Sequence, residues 1–195
     1  MTNTKRILLK AAMSSAALHP VLLSAAGPRE PGPRAGYFPN TILQTHEGKN
    51  VRFYDDVVKG DRIIIINMMY TVCTGICPPN TANLMRVQEM LGDRISRDIF
   101  MYSLTLQPET DTPSVLRAYV ERYGIRSGWV FLTGNRSDIE LIRRKLGFFD
   151  RDAERDARLS EHTGMVRMGR EAFDRWTMMP GLTSPTQLVK SILSL

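Results

Sequence analysis

Apolar residues fall along this chain in two rhythms. Arg62-Ile63-Ile64-Ile65-Ile66-Asn67-Met68-Met69-Tyr70 is β-branched and almost continuously apolar, the pattern of a strand covered on both faces. Shorter runs of the same kind predict strands at residues 99–106 and 129–132. Helical spacing lies between and after them. Thr112-Pro113 supplies a cap and a first-turn proline, Leu116, Tyr119, Val120 and Tyr123 form an apolar stripe, and Gly124 ends it. Ser137-Asp138-Ile139-Glu140 reads as a capping box that opens a helix ending near Gly147. Ser184-Pro185 opens a last helix with Leu188, Val189 and Ile192 on one face. A hairpin is expected at residues 164–176, and an early turn containing His46 between two short strands. The charge-dense stretch 150–161 reads as a solvated excursion that runs directly into His162. Strands alternating with helices predict an α/β layered domain.

The ends of the chain differ from this body. Lys5 and Arg6 precede an apolar, small-residue region that closes on Ser24-Ala25-Ala26-Gly27, which has the form of a secretory signal interrupted by Lys10, His19 and Pro20. Residues 1–27 are therefore read as a signal-like leader or anchor, 28–37 as a Pro/Gly-rich linker, and 38–195 as the domain. At 43% hydrophobic and 24% charged, the chain has the composition of a globular domain rather than a disordered one. The net charge is +6, but the arginines are scattered and never interleave with aromatics, so no nucleic-acid partner is expected. The leader makes export the expected fate, to the periplasm or the outer face of the cytoplasmic membrane, with the leader as the route to a membrane surface. An oxidising compartment would then act on any thiols present.

Only two cysteines occur, Cys73 and Cys77 in "YTVCTGICPP", just past the buried strand and at the start of the next helix. Ligands gather at that edge of α/β sheets. Amide groups at a helix start favour thiolate over thiol, Gly75 lets the loop fold the sulfurs together, and Pro78 starts the helix without wasting a donor. A disulfide closing so small a ring removes little unfolded-state entropy, so a purely structural staple is the weaker reading. Two thiolates describe a redox couple as well as half a metal site. His162 is the only histidine of the later domain and a third ligand if the site binds metal; His19 lies in the leader and His46 in a turn. Met68-Met69 reads as core filler, and Met178-Met179, placed in a loop after Trp176, as an auxiliary thioether contact at most.

These residues carry a resemblance. Thr71-Val72-Cys73-Thr74-Gly75-Ile76-Cys77-Pro78 resembles the T-x-C-x-x-x-C-P motif of the SCO/SenC copper-chaperone family. Pro108-Glu109-Thr110-Asp111-Thr112-Pro113 with Val115-Leu116-Arg117-Ala118-Tyr119 is similar to that family's "DPERDTPEVLKAY" segment. Leu132-Thr133-Gly134 matches its strand end, and Glu161-His162-Thr163 falls where the family places a distal histidine. The resemblance implies a thioredoxin-like three-layer fold, with a central mixed sheet flanked by helices and an inserted hairpin near that histidine. It implies copper held by Cys73, Cys77 and His162, a donor set suited to Cu(I) and, with a further oxygen ligand, to Cu(II). The implied partner is the copper-site subunit of a respiratory cytochrome c oxidase, or another copper-transfer protein. Delivery of copper to the dinuclear site, or preparation of its thiols, is then the leading function. The alternative is a thiol-disulfide oxidoreductase in which Cys73 attacks and Cys77 resolves. Thr74 stands where the family often has Pro, Gly75-Ile76 lacks its acidic residue, and Gln107 replaces its usual Asp, which removes a negative charge near the site.

Overall fold

The computed structural model describes residues 31–159 and 164–195. A seven-stranded mixed sheet is built from β1 (Ile42–Thr45), β2 (Asn50–Arg52), β3 (Ile63–Met69), β4 (Ile99–Thr105), β5 (Trp129–Thr133), β6 (Met165–Arg170) and β7 (Arg175–Pro180). Helices α1 (Cys77–Leu91), α2 (Pro113–Tyr123), α3 (Arg136–Leu146), the short α4 (Ala153–Asp156) and α5 (Pro185–Leu193) join them, with a π-helical turn at Phe53–Val58 and 3-10 turns at Gly92–Arg94 and Glu171–Phe173. The strand order is β2-β1-β5-β4-β3-β6-β7, with β3, β4 and β5 parallel and the outer strands antiparallel.

The unbroken apolar run of β3 is explained by its place between β4 and β6. Neighbouring side chains point to opposite faces, so Ile63, Ile65 and Met69 enter one core and Ile64, Ile66 and Met68 the other. Leu84, Val87, Leu116, Tyr119, Leu188 and Ile192 from α1, α2 and α5 cover the first face. Ile139, Ile142 and Leu146 of α3, with Phe53 and Val57, cover the second. This is the three-layer, thioredoxin-like arrangement that the resemblance implied, and Met68 and Met69 are core residues.

Helix ends follow the sequence at α2, where the Thr112 hydroxyl accepts from the Val115 amide and Gly124 adopts a left-handed conformation at φ 63°. The capping box at Ser137 does not form. Helix α3 begins two residues earlier, at Arg136, because Asn135 takes the extended cap position and Asp138 is already in the first turn. The hairpin is also longer than expected and runs to Pro180, so Met178 and Met179 lie in β7 rather than in a loop. Adjacent strand residues face opposite ways, and accordingly Met179 packs on the α1 side and Met178 on the α3 side. The charged stretch is not wholly solvated either. Asp156 of α4 is almost fully covered, with its carboxylate bridging Arg143 and Arg144 of α3. Residues from Gly32 on lie against the domain: the Arg34 amide donates to Glu171 and its guanidinium pairs with Asp174. His162 and residues 1–27 fall outside the described residues.

Candidate metal and redox site

Parallel strands β3 and β4 end side by side, and this sets the geometry of the cysteine loop. The Leu106 amide donates to the Met69 carbonyl across the two strand ends, at 2.7 Å. Beyond β3 the chain turns at Tyr70, whose carbonyl accepts from the Cys73 amide, and reaches Cys77 as the first residue of α1. Ile76 holds the cap position without a side-chain cap, and Pro78 and Pro79 follow where their missing donors cost nothing. Both thiols are free, buried, and in the same apolar cluster.

Burial pushes the Cys73 thiol up, but hydrogen bonds from the Cys77 thiol, the Cys77 and Gly75 amides and the Tyr70 hydroxyl outweigh it. Cys73 is therefore held below the ordinary thiol range. Cys77 moves the other way, first because it is more deeply buried and then because it donates its proton to Cys73. Burial and the bond to Cys73 also push the Tyr70 hydroxyl up to about 12. Cys77 opens the helix, yet its amide serves the sulfur of Cys73, so the loop cysteine carries the greater thiolate character. Two hydrogen-bonded thiols, one lowered and one raised, are a poised arrangement for a soft cation or for a disulfide.

A carboxylate that the sequence reading passed over organises this loop. Asp111, fully buried, accepts from the Thr71 amide at 3.1 Å, from the Thr71 hydroxyl and from the Thr105 hydroxyl. It thus ties the first residue of the motif to the end of β4, and its charge also raises Cys77. The departure at Gln107 removes one family carboxylate, yet Asp111 keeps negative charge at the site. Gln107 itself is partly buried, with its side-chain oxygen unbonded among the described residues. A second link joins α1 to α2, where the hydroxyls of Thr81 and Tyr119 lie 2.8 Å apart.

Among the described residues no further His, Cys, Asp or Glu completes a metal-binding group with the two thiols. His46 is engaged elsewhere, since its Nδ1 accepts from the Phe131 amide at 3.2 Å. The chain re-enters the site through Gly164, two residues after His162. A Cβ there would stand 2.7 Å from Ile76 Cγ1, between the two cysteines in sequence. A concavity of about 650 Å³ around Arg143 and Asp156 lies away from the cysteines, and Arg143 there is already paired with Glu140 and Asp156; a groove of about 600 Å³ opens at Cys73.

The family model described as SCO1/SenC matches residues 42–195. The chain belongs to the SCO1/SenC family. Its similarity to the SCO1 protein homolog of Bacillus subtilis is 33% identity over 100 residues, half of each chain. The chain thus spans about half the length of the curated relatives it matches. Among solved structures, a SCO1/SenC family lipoprotein from Bacillus anthracis superposes with a TM-score of 0.65 at 20% identity, covering 81% of this chain and 94% of that one. ScoI of Bradyrhizobium japonicum, solved with copper bound, gives 0.61 at 19% identity over 78% and 95% of the two chains. At such identities the likeness is one of fold, and it agrees with the layers described above.

Proposed function

We propose that this SCO1/SenC protein is an exported copper carrier in which Cys73, Cys77 and His162 hold Cu(I) for transfer to the dinuclear copper site of a cytochrome c oxidase. The observation that carries the reading is the pair of free, buried thiols hydrogen-bonded to each other on a loop clamped by Asp111. Such a pair offers two soft sulfur ligands without first breaking a disulfide, and Cu(I) prefers soft ligands. The approach of Gly164 to Ile76 supports His162 as the third ligand, because it leaves a short tether between the histidine and the loop. Copper is cargo here, and two thiolates with one imidazole can release it as well as hold it. The signal-like leader and the lipoprotein relative support an exported protein at a membrane surface.

Anaerobic titration of the reduced protein with Cu(I) tests this. One copper per chain is expected, weakened at least ten-fold by His162→Ala and abolished by Cys73→Ser. Tight binding that survives Cys73→Ser would place the metal elsewhere. The second reading, reduction of a partner's disulfide by the same pair, is favoured by the lowered Cys73 and raised Cys77, the asymmetry of an attacking and a resolving thiol. It predicts turnover with a partner disulfide that is unchanged by His162→Ala.

A further inference from the structure

Arg167 of β6 stands opposite Ile66 of β3, on the α3 side of the sheet, whereas Cys73 and Cys77 belong to the core of the other side. Among the described residues the partly buried arginines are Arg34, Arg62, Arg94, Arg143, Arg167 and Arg170. All but Arg167 donate to an oxygen: Arg34 to Asp174, Arg62 to the Asp56 carbonyl, Arg94 to Asp98, Arg143 to Asp156 and Arg170 to Asp61. The Nε of Arg167 is buried without an acceptor among the described residues. Burial, and after it the charge of Arg34, holds its guanidinium below the ordinary range, with only Tyr37 acting the other way. A desolvated cation without a counter-charge costs stability.

The surroundings of Arg167 are cationic and aromatic. A side chain on Gly169 would run into the indole of Trp176, so its absence lets the ring lie across β6, and Arg167 Cζ sits 5.5 Å from that ring's centroid. Phe38 packs on the same indole at 5.1 Å, which brings the neighbouring Tyr37 close. The Tyr37 ring carries two more cations, with Lys145 Nζ at 4.6 Å and Arg34 Cζ at 5.4 Å from its centroid. Three cations therefore gather where segment 34–38, the β6–β7 hairpin and the end of α3 meet. Asp174 is committed to Arg34, and the buried Glu171 is turned to the Tyr54 hydroxyl and the Arg34 amide. Aromatic stacking orients such cations without using up their donors.

We propose that Arg167, Lys145 and Arg34 form a binding site for a phosphate group, gripped by the Arg167 fork with the other two cations supplying charge. A tetrahedral oxyanion offers an oxygen to cations that approach from several directions, which a planar carboxylate does less well. Inorganic phosphate and the headgroup of an acidic phospholipid share this chemistry, and the test separates them. None of the residues assigned to copper takes part, so the site stands whether or not copper is the cargo.

The test uses the full chain, reduced, in buffers of matched ionic strength. Inorganic phosphate in place of chloride is expected to raise the melting point by a few degrees, as a ligand of the folded state does. Arg167→Met should weaken phosphate binding by about ten-fold or more. Without phosphate it should melt as high as the parent protein or higher, because an apolar side chain replaces a desolvated cation. If Arg167 served only to pack on Trp176, the variant would melt lower by the same amount with and without phosphate, and the proposal would fall. Arg167→Lys should bind better than Arg167→Met but less well than the parent, and Lys145→Gln should weaken binding about three-fold. Phosphatidylcholine vesicles with and without phosphatidic acid supply the lipid arm. A headgroup site gives sedimentation that depends on phosphatidic acid and falls in Arg167→Met. A site for soluble phosphate gives the melting shift with equal sedimentation of parent and variant. No phosphate shift together with equal sedimentation, or a shift that survives both Arg167→Met and Lys145→Gln, would overturn the proposal.

Discussion

Asp111 accepts three hydrogen bonds from two chain segments and has no cationic partner among them. Charge-assisted bonds of this kind are worth more than neutral ones, and their loss orphans buried donors. Asp111→Ala is therefore expected to lower stability by about 2–4 kcal/mol in urea denaturation and to weaken copper binding through the loosened loop. The thiols offer a second residue-level prediction. Since the Cys77 thiol is a leading cause of the depressed Cys73, Cys77→Ala should move the pH profile of Cys73 alkylation upward. Copper loading must displace the proton held on the raised Cys77, so apparent Cu(I) affinity should increase with pH through neutrality. A pH-independent affinity would show that Cys77 does not hold its proton in this way. Of these residues, the cysteines were legible from spacing alone. Asp111 lay inside a motif, but its target is 40 residues away.

Two short elements deserve their own tests. Helix α4 is pinned by Asp156 to Arg143 and Arg144, and its carboxyl is held down to about 2, first by the hydrogen bond from Arg143. The folded value is below the unfolded one, so this stabilisation is fully present above the unfolded carboxyl range. It is lost as the pH falls through about 2. Asp156→Asn should cost roughly 1–3 kcal/mol at neutral pH, and the difference from the parent protein should close in acid denaturation. The start of β6 is equally constrained. Gly164 combines φ 55° with a close approach to Ile76, so Gly164→Ala is expected to destabilise by about 1 kcal/mol or more. It should also weaken Cu(I) binding, since it disturbs the tether to His162. Element by element, β3, β4, β5, α2 and α5 were legible because burial and capping leave periodic marks. Helix α4 left none: four residues pinned by ion pairs look like any charged loop until α3 is placed beside them.

For the whole molecule, copper that binds only the folded, reduced chain must raise its melting point. At a hundred-fold excess over the dissociation constant the gain is about 2.7 kcal/mol. An anaerobic melting curve should show a shift of several degrees, absent in the oxidised protein, where a disulfide consumes both thiolates. No shift with reduced protein would refute a thiolate site. At this scale the division between sequence and tertiary structure becomes clear. Apolar periodicity, helix punctuation and the two cysteines beyond a buried strand determined the layered fold and located the reactive edge, because burial alternation and capping are local properties of the chain. The hydrogen bonds that set the two thiols apart, the Asp111 clamp and the opposite facing of Met178 and Met179 were decided only in three dimensions. Each depends on which strands become neighbours and which groups then share a buried space, and the strand order β5-β4-β3-β6 is written in no single stretch of residues.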